Sequence, residues 1–138
     1  MSLARGYTLM ELVLVLVISG ILAAIVIPQF NPREVDASWY FEKAKAAVRY
    51  AQRQAVAQRR TVYVVVSAGS IQLCYDAGCA SPVNDFGTGS PYVAAAPSGV
   101  SLTPVTFSFN GLGQPSGGTT FSVGAFSLTV IAETGYVP

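Results

Sequence analysis

The chain has 138 residues, the length of one domain or of one domain with an appendage. Hydrophobic residues make up 51% and charged residues 11%, against about 25% charged in an ordinary soluble chain, and the net charge is +1. Disorder is excluded by this composition, and the absence of histidine excludes His-based triads, His-assisted cysteine nucleophiles and most catalytic zinc sites. The apolar excess is concentrated at one end. From Tyr7 to Ile27 every residue is hydrophobic except Thr8, Glu11, Ser19 and Gly20, and the remainder has the composition of an ordinary globular body. All 8 basic residues fall within the first 60 positions, whereas Asp76, Asp85 and Glu133 are the only charges beyond them. A C-terminal half without a cation is a poor binder of phosphate backbones.

A helix over Tyr7–Ile27 is about 31 Å long, enough to cross the hydrocarbon of a bilayer. A short polar leader, residues 1–6, precedes it. Arg5 just before the span predicts a cytoplasmic N-terminus and a C-terminal body on the far side of the membrane. Glu11 is the anomaly. A carboxylate in an apolar helix costs on the order of 2.5–3.5 kcal/mol on insertion scales. It has two readings: a charge that snorkels to the headgroups, or one that meets a partner cation from another molecule.

Gly6-Tyr-Thr-Leu-Met-Glu11-Leu-Val, followed by Ile18-Ser-Gly-Ile-Leu-Ala-Ala-Ile25 and Pro28, resembles the type IV prepilin signal shared by type IV pilins and the pseudopilins of type II secretion. The resemblance implies cleavage after Gly6 by a prepilin peptidase and N-methylation of the new terminus, Tyr7. Most family members carry Phe where this chain has Tyr7. Glu11 matches the family's glutamate, which in the assembled filament is thought to neutralise the N-terminal amine of a neighbouring subunit. Electrostatics agrees, because cleavage creates a cation at Tyr7 and opposite charges in hydrocarbon strongly favour meeting.

Pro28 removes a helical hydrogen bond and predicts a kink, with Asn31-Pro32 as a second breaker and Asp36 as the N-cap of a restart. Between Ala37 and Arg60, Phe41, Ala44, Val48, Ala51 and Ala55 recur at helical spacing, with alanines keeping the helix slim. Lys45, Arg49, Arg53 and Arg60 form an adjoining stripe. It is read as a solvated face, with ion pairing to acidic neighbours in a filament, or contact with nucleic acid or lipid, as the alternatives. After Arg60 the period changes to two. Thr61–Ser67 and Ser70–Asp76 predict a hairpin around Ala68-Gly69; Val105, Phe107 and Phe109 alternate on a later strand; Gly117–Val123 and Ala125–Ile131 predict a second hairpin at Gly124. The stretch Ala77–Ser101 is read as a long surface loop. The fold class expected is therefore α+β: a long N-terminal helix, half transmembrane and half amphipathic, packed on an all-β antiparallel head. The expected divisions are 1–6 leader, 7–31 membrane and filament-core helix, 36–60 amphipathic helix and 61–138 head.

Cys74 and Cys79 are the only cysteines. Two cysteines without histidine cannot form a structural zinc site. With the body outside the cytoplasm a disulfide is expected, the alternative being a pair of small reduced hydrophobes. Asp76 and Asp85 do not make a Ca²⁺ ligand set, so no metal and no cofactor is expected.

The order of helix and hairpins is similar to the GspH/FimT group of minor pilins and pseudopilins. Three stretches carry the likeness: Gln52–Arg60 running into Thr61–Val66, Thr106–Gly113, and Glu133-Thr-Gly-Tyr136. The last two also resemble minor pilins of mannose-sensitive-haemagglutinin-type pili. The resemblance implies a structural, non-enzymatic subunit that primes or caps a type IV pilus or type II secretion pseudopilus. Its implied partners are other pilin or pseudopilin subunits, the prepilin peptidase, the inner-membrane assembly platform and, before assembly, membrane lipid. The alternatives are a DNA-binding pilin of a competence pilus, which needs a basic patch on the head, and a body merely anchored by its N-terminal helix. Nucleic acid is not an expected partner. The implied location is the inner membrane, single pass with a periplasmic head, and then the filament.

Overall fold

The computed structural model describes residues 7–26 and 32–138, so the leader with Gly6 and the expected kink at Pro28 lie outside the described residues. The chain divides into two compact units, Met1–Pro32 and Arg33–Pro138. In the first, helix α1 spans Leu9–Val26. Each described side chain from Tyr7 to Ala24 is exposed. This helix has apolar side chains all round and no core of its own to bury them in.

The second unit is built on helix α2, Pro32–Gln58. It begins at Pro32, four residues ahead of the expected restart, so Asp36 lies inside the helix and does not cap it. The reason is positional: proline breaks a helix interior but suits the first turn, where its missing N–H has no partner to lose. At the other end Arg59 takes a left-handed conformation (φ 49°), and the Arg60 and Arg59 amides bond back to the Ala55 and Val56 carbonyls. That is a Schellman closure with arginine where glycine is usual, and it stops the helix two residues early.

The expected strands form. Strands β1 (Val62–Ser67) and β2 (Ser70–Cys74) make the first hairpin, β4 (Val105–Phe109) pairs with β1, and β5 (Thr119–Val123) with β6 (Phe126–Val130) makes the last hairpin. Gly124 turns the final hairpin with φ +59°, a conformation that favours glycine. The surface-loop expectation for Ala77–Ser101 is corrected. Val93–Ala95 is a third strand, β3, on the free edge of β2, giving the antiparallel order β3-β2-β1-β4. Single bridges at Cys74–Pro82 and Asn84–Pro91 fold the segment down, and Val83 and Ala94 are buried. A three-residue strand between prolines is too short to show a period, and prolines are tolerated at a sheet edge.

Alternation sorts the core. Val62, Val64 and Val66 of β1, Ile71 and Leu73 of β2, Phe107 and Phe109 of β4, and Leu128 and Val130 of β6 point inward. They meet a helix face of Ala37, Tyr40, Ala44, Ala47, Val48, Ala51 and Ala55. Phe126 is 39% exposed at the hairpin tip, where its ring packs on Phe41 with centroids 5.2 Å apart. Tyr40, fully buried, donates its hydroxyl to the Ala94 carbonyl at 2.7 Å and ties α2 to β3.

The C-terminal tail is held by the same helix. Gln52 uses both amide hydrogens, on Gly113 O at 2.8 Å and Thr134 O at 2.9 Å. Gly135 sits here with φ +67°, and a Cβ would fall 2.7 Å from Gln52 Nε2 and 2.8 Å from Phe109 Cε1. Gly135→Ala is therefore expected to cost about 2 kcal/mol or more. Gly69→Ala, with open space around it, should stay within about 1 kcal/mol of the parent. Urea unfolding midpoints of the detergent-solubilised chain check both.

Candidate functional site

At the N-terminal unit, Thr8 immediately precedes α1. Its hydroxyl accepts from the Glu11 backbone N–H at 3.3 Å, and its carbonyl accepts from the Glu11 and Leu12 amides at 3.1 and 3.2 Å. Thr8 is thus the N-cap, with Glu11 three residues on, the spacing of a capping box. The Glu11 carboxylate lies in the first helical turn, at the positive end of the helix dipole. Sequence reasoning singled out Glu11 for its charge and missed this local reason for its place, although Thr-x-x-Glu ahead of an apolar run was legible. Tyr7 stands before the cap, 85% exposed. The two residues expected to take part in processing and assembly therefore sit together at one exposed helix start.

Residues 1–27 match the family model described as the prokaryotic N-terminal methylation motif. The chain opens with a type IV pilin-like signal. No curated protein and no solved structure matches the chain. The motif is pilin-like, and the match covers the N-terminal segment without extending into the body. Among the described residues no helix is long and apolar enough to cross a membrane. The described α1 has 18 residues, a rise of about 27 Å against roughly 30 Å of hydrocarbon.

In the body, the basic stripe is largely solvated, as read from its spacing, with Arg49, Arg53 and Arg60 exposed and Lys45 half-buried, but several of its cations also have partners within the body. Lys45 pairs with Glu42 at 3.2 Å and lies over the Phe41 ring. Arg49 donates to the Val137 carbonyl at 2.8 Å, and the Arg60 guanidinium stacks on Tyr75 at 3.8 Å. Lys43 lies over Trp39. Arg53 and Arg59 are exposed, and among the described residues neither forms a salt bridge. Arg49 and Arg60 thus also tie distant parts of the body together, which the sequence could not show because Val137 and Tyr75 are far along the chain.

Cys74 and Cys79 form the expected disulfide, with Cα atoms 5.1 Å apart. Cys74 ends β2 fully buried, and Cys79 adopts φ 58° to close the ring. Among the described residues no group of three or more His, Cys, Asp or Glu side chains could hold a metal. Two tyrosines titrate high. Burial, then Tyr92, pushes Tyr40 up to about 12; burial, then Asp85 and Tyr50, raises Tyr92. Both hydroxyls stay protonated at neutral pH.

Asp76, inside the disulfide ring, caps the following turn by accepting from the Ala80 amide at 2.8 Å and the Ser81 amide at 2.7 Å. These bonds to Ala80 and Ser81 hold its carboxyl below the ordinary value of 3.8. A depressed carboxyl contributes stability above its unfolded pKa and loses it as pH falls through the folded one. Hydrogen exchange at Ala80 and Ser81, corrected for intrinsic rate, should stay slow from pH 7 to pH 4 and quicken only below pH 3.8. Asp76→Asn should already exchange fast at pH 7.

Proposed function

We propose that the chain is a structural subunit of a type IV pilus or of a type II secretion pseudopilus, of the GspH/FimT-like kind. It enters the filament through its N-terminal helix. The observation that carries this reading is the methylation motif over residues 1–27, in which Tyr7 and Glu11 flank the Thr8 cap of an exposed apolar helix. In this reading the prepilin peptidase cuts between Gly6 and Tyr7 and the new Tyr7 amine is methylated. The inner membrane stores the subunit with its head in the periplasm until the assembly platform extracts it. Glu11 then meets the Tyr7 amine of a neighbour. In lipid, apolar side chains give no drive for helices to associate, so a charge pair there is worth more than further leucines.

The same reading makes the head a spacer and a contact surface, with no chemistry of its own. A DNA-uptake role would need cations open to phosphate. Lys45, Arg49 and Arg60 are engaged within the body, which argues against it.

Intact-mass measurement on protein from cells with and without a prepilin peptidase tests the assignment. With the peptidase, the mass should correspond to a chain starting at Tyr7 with one added methyl group; a chain that still begins at Met1 would sink it. In gel-shift titrations at physiological salt, micromolar protein should leave duplex DNA unshifted, since even non-specific Kd values of about 10⁻⁴–10⁻⁶ M need several accessible cations. A submicromolar shift abolished by Arg53→Ala with Arg59→Ala would put the DNA-uptake role first.

A further inference from the structure

One hydroxyl sets where α1 begins. Leu9 is the first helical residue, and Tyr7 and Thr8 ahead of it are not helical. A helix start leaves its first amides without partners inside the helix. Here Thr8 gathers two of them. Its carbonyl accepts from the Glu11 and Leu12 amides at 3.1 and 3.2 Å, and its hydroxyl accepts from the Glu11 amide at 3.3 Å. A capping residue keeps an extended backbone while its side chain closes the first turn, so the chain ahead of it leaves the helix.

No other side chain nearby specifies that start. From Leu9 to Val26 the only other residues that favour a cap are Ser19 and Gly20, about three turns further on. Upstream, tyrosine is an ordinary helix residue, and a helix released from its cap winds back through Tyr7 at little cost. The place of the cap matters because of what adjoins it. On the processing reading, the bond to be cut joins Gly6 to Tyr7. Hydrolysis needs a carbonyl open to attack, on a backbone that the enzyme can hold extended. A peptide bond wound into a helix offers neither. Tyr7, 85% exposed and one residue ahead of the cap, lies on the unwound side.

We propose that Thr8 is a positioning residue for processing: its hydroxyl stops α1 at Leu9 and so keeps the Gly6–Tyr7 bond out of the helix, where the peptidase reaches it. The inference rests on the processing reading and adds to it a side chain that touches none of the reacting atoms. A substrate whose cleavable conformation is only part of the population binds with an affinity reduced by that fraction. Loss of the hydroxyl therefore raises KM and leaves kcat unchanged, whereas loss of a contact made only in the transition state would lower kcat.

The test is cleavage of the full-length chain, solubilised in detergent, by a purified prepilin peptidase, read by intact mass over a range of substrate concentrations. Thr8→Val keeps the shape and removes the hydroxyl; Thr8→Ser and Thr8→Asn change the shape and keep a capping oxygen. Thr8→Val should raise KM by about threefold to fivefold, with kcat as in the parent. Thr8→Ser and Thr8→Asn should stay within about twofold of the parent, since both residues cap as well as threonine. Hydrogen exchange at the Glu11 amide should quicken in Thr8→Val alone. If Thr8→Val is cut like the parent and Thr8→Asn is not, the peptidase reads side-chain shape and the inference is overturned. Equal cleavage of all four chains also overturns it and leaves the processing reading standing. A fall in kcat at unchanged KM places the hydroxyl in the peptidase's own chemistry and contradicts a positioning role. A parent chain left uncut by a peptidase that cuts its own substrate overturns the processing reading, and this inference with it.

Discussion

Helix α1 imposes the constraint from which the functional account follows. Its described large apolar side chains are all 44% exposed or more, and at roughly 25 cal/mol per Å² of apolar surface such a helix is unstable in water. It needs an apolar cover, which in the proposed function is lipid and then other helices of its kind. Glu11 sets which cover is preferred. In lipid alone the carboxylate is a standing cost, relieved in part by its place in the first turn above the Thr8 cap. In the proposed filament, copies processed at Tyr7 would give it a cation. On that proposal one residue makes the membrane a tolerable store and the filament the better environment.

The body solves a different problem, keeping a small β head rigid at the end of a slim helix. Alanines on the buried face of α2 let the strands approach closely, and Tyr40 reaches through to β3. Gln52 and Arg49 then fasten the loop after β4 and the C-terminal tail to the same helix. Polar side chains that a periodicity plot assigns to solvent therefore act as clasps. Engaging Lys45, Arg49 and Arg60 within the body in this way leaves fewer cations for outside ligands.

What the sequence made legible was whatever repeats locally. The period-two runs of β1, β2, β4 and β6 and the 3–4 spacing of Phe41, Ala44, Val48, Ala51 and Ala55 follow from side-chain geometry within one element. The apolar N-terminal run and its glutamate were equally plain. Three features were hidden because each depends on something distant or on an exception. Strand β3 exists only because β2 offers an edge to pair with. Pro32 starts a helix that its residue type alone would break, and Arg59 takes a glycine's conformation to end it. At the candidate site, Tyr7 and Glu11 were singled out from the motif, but the Thr8 hydrogen bond that orients the turn between them was not anticipated.

The central claim is that a carboxylate at Glu11 drives the chain from membrane to filament by pairing with a neighbour's N-terminal amine. The most direct measurement compares Glu11→Ala with the parent in membrane and sheared-filament fractions of the same cells. Removing the carboxylate lowers the cost of residing in lipid but leaves the partner amine uncompensated. The account predicts unchanged or greater recovery in the membrane and a loss from the filament fraction of about tenfold or more. Equal recovery of Glu11→Ala and parent in sheared filaments would contradict it.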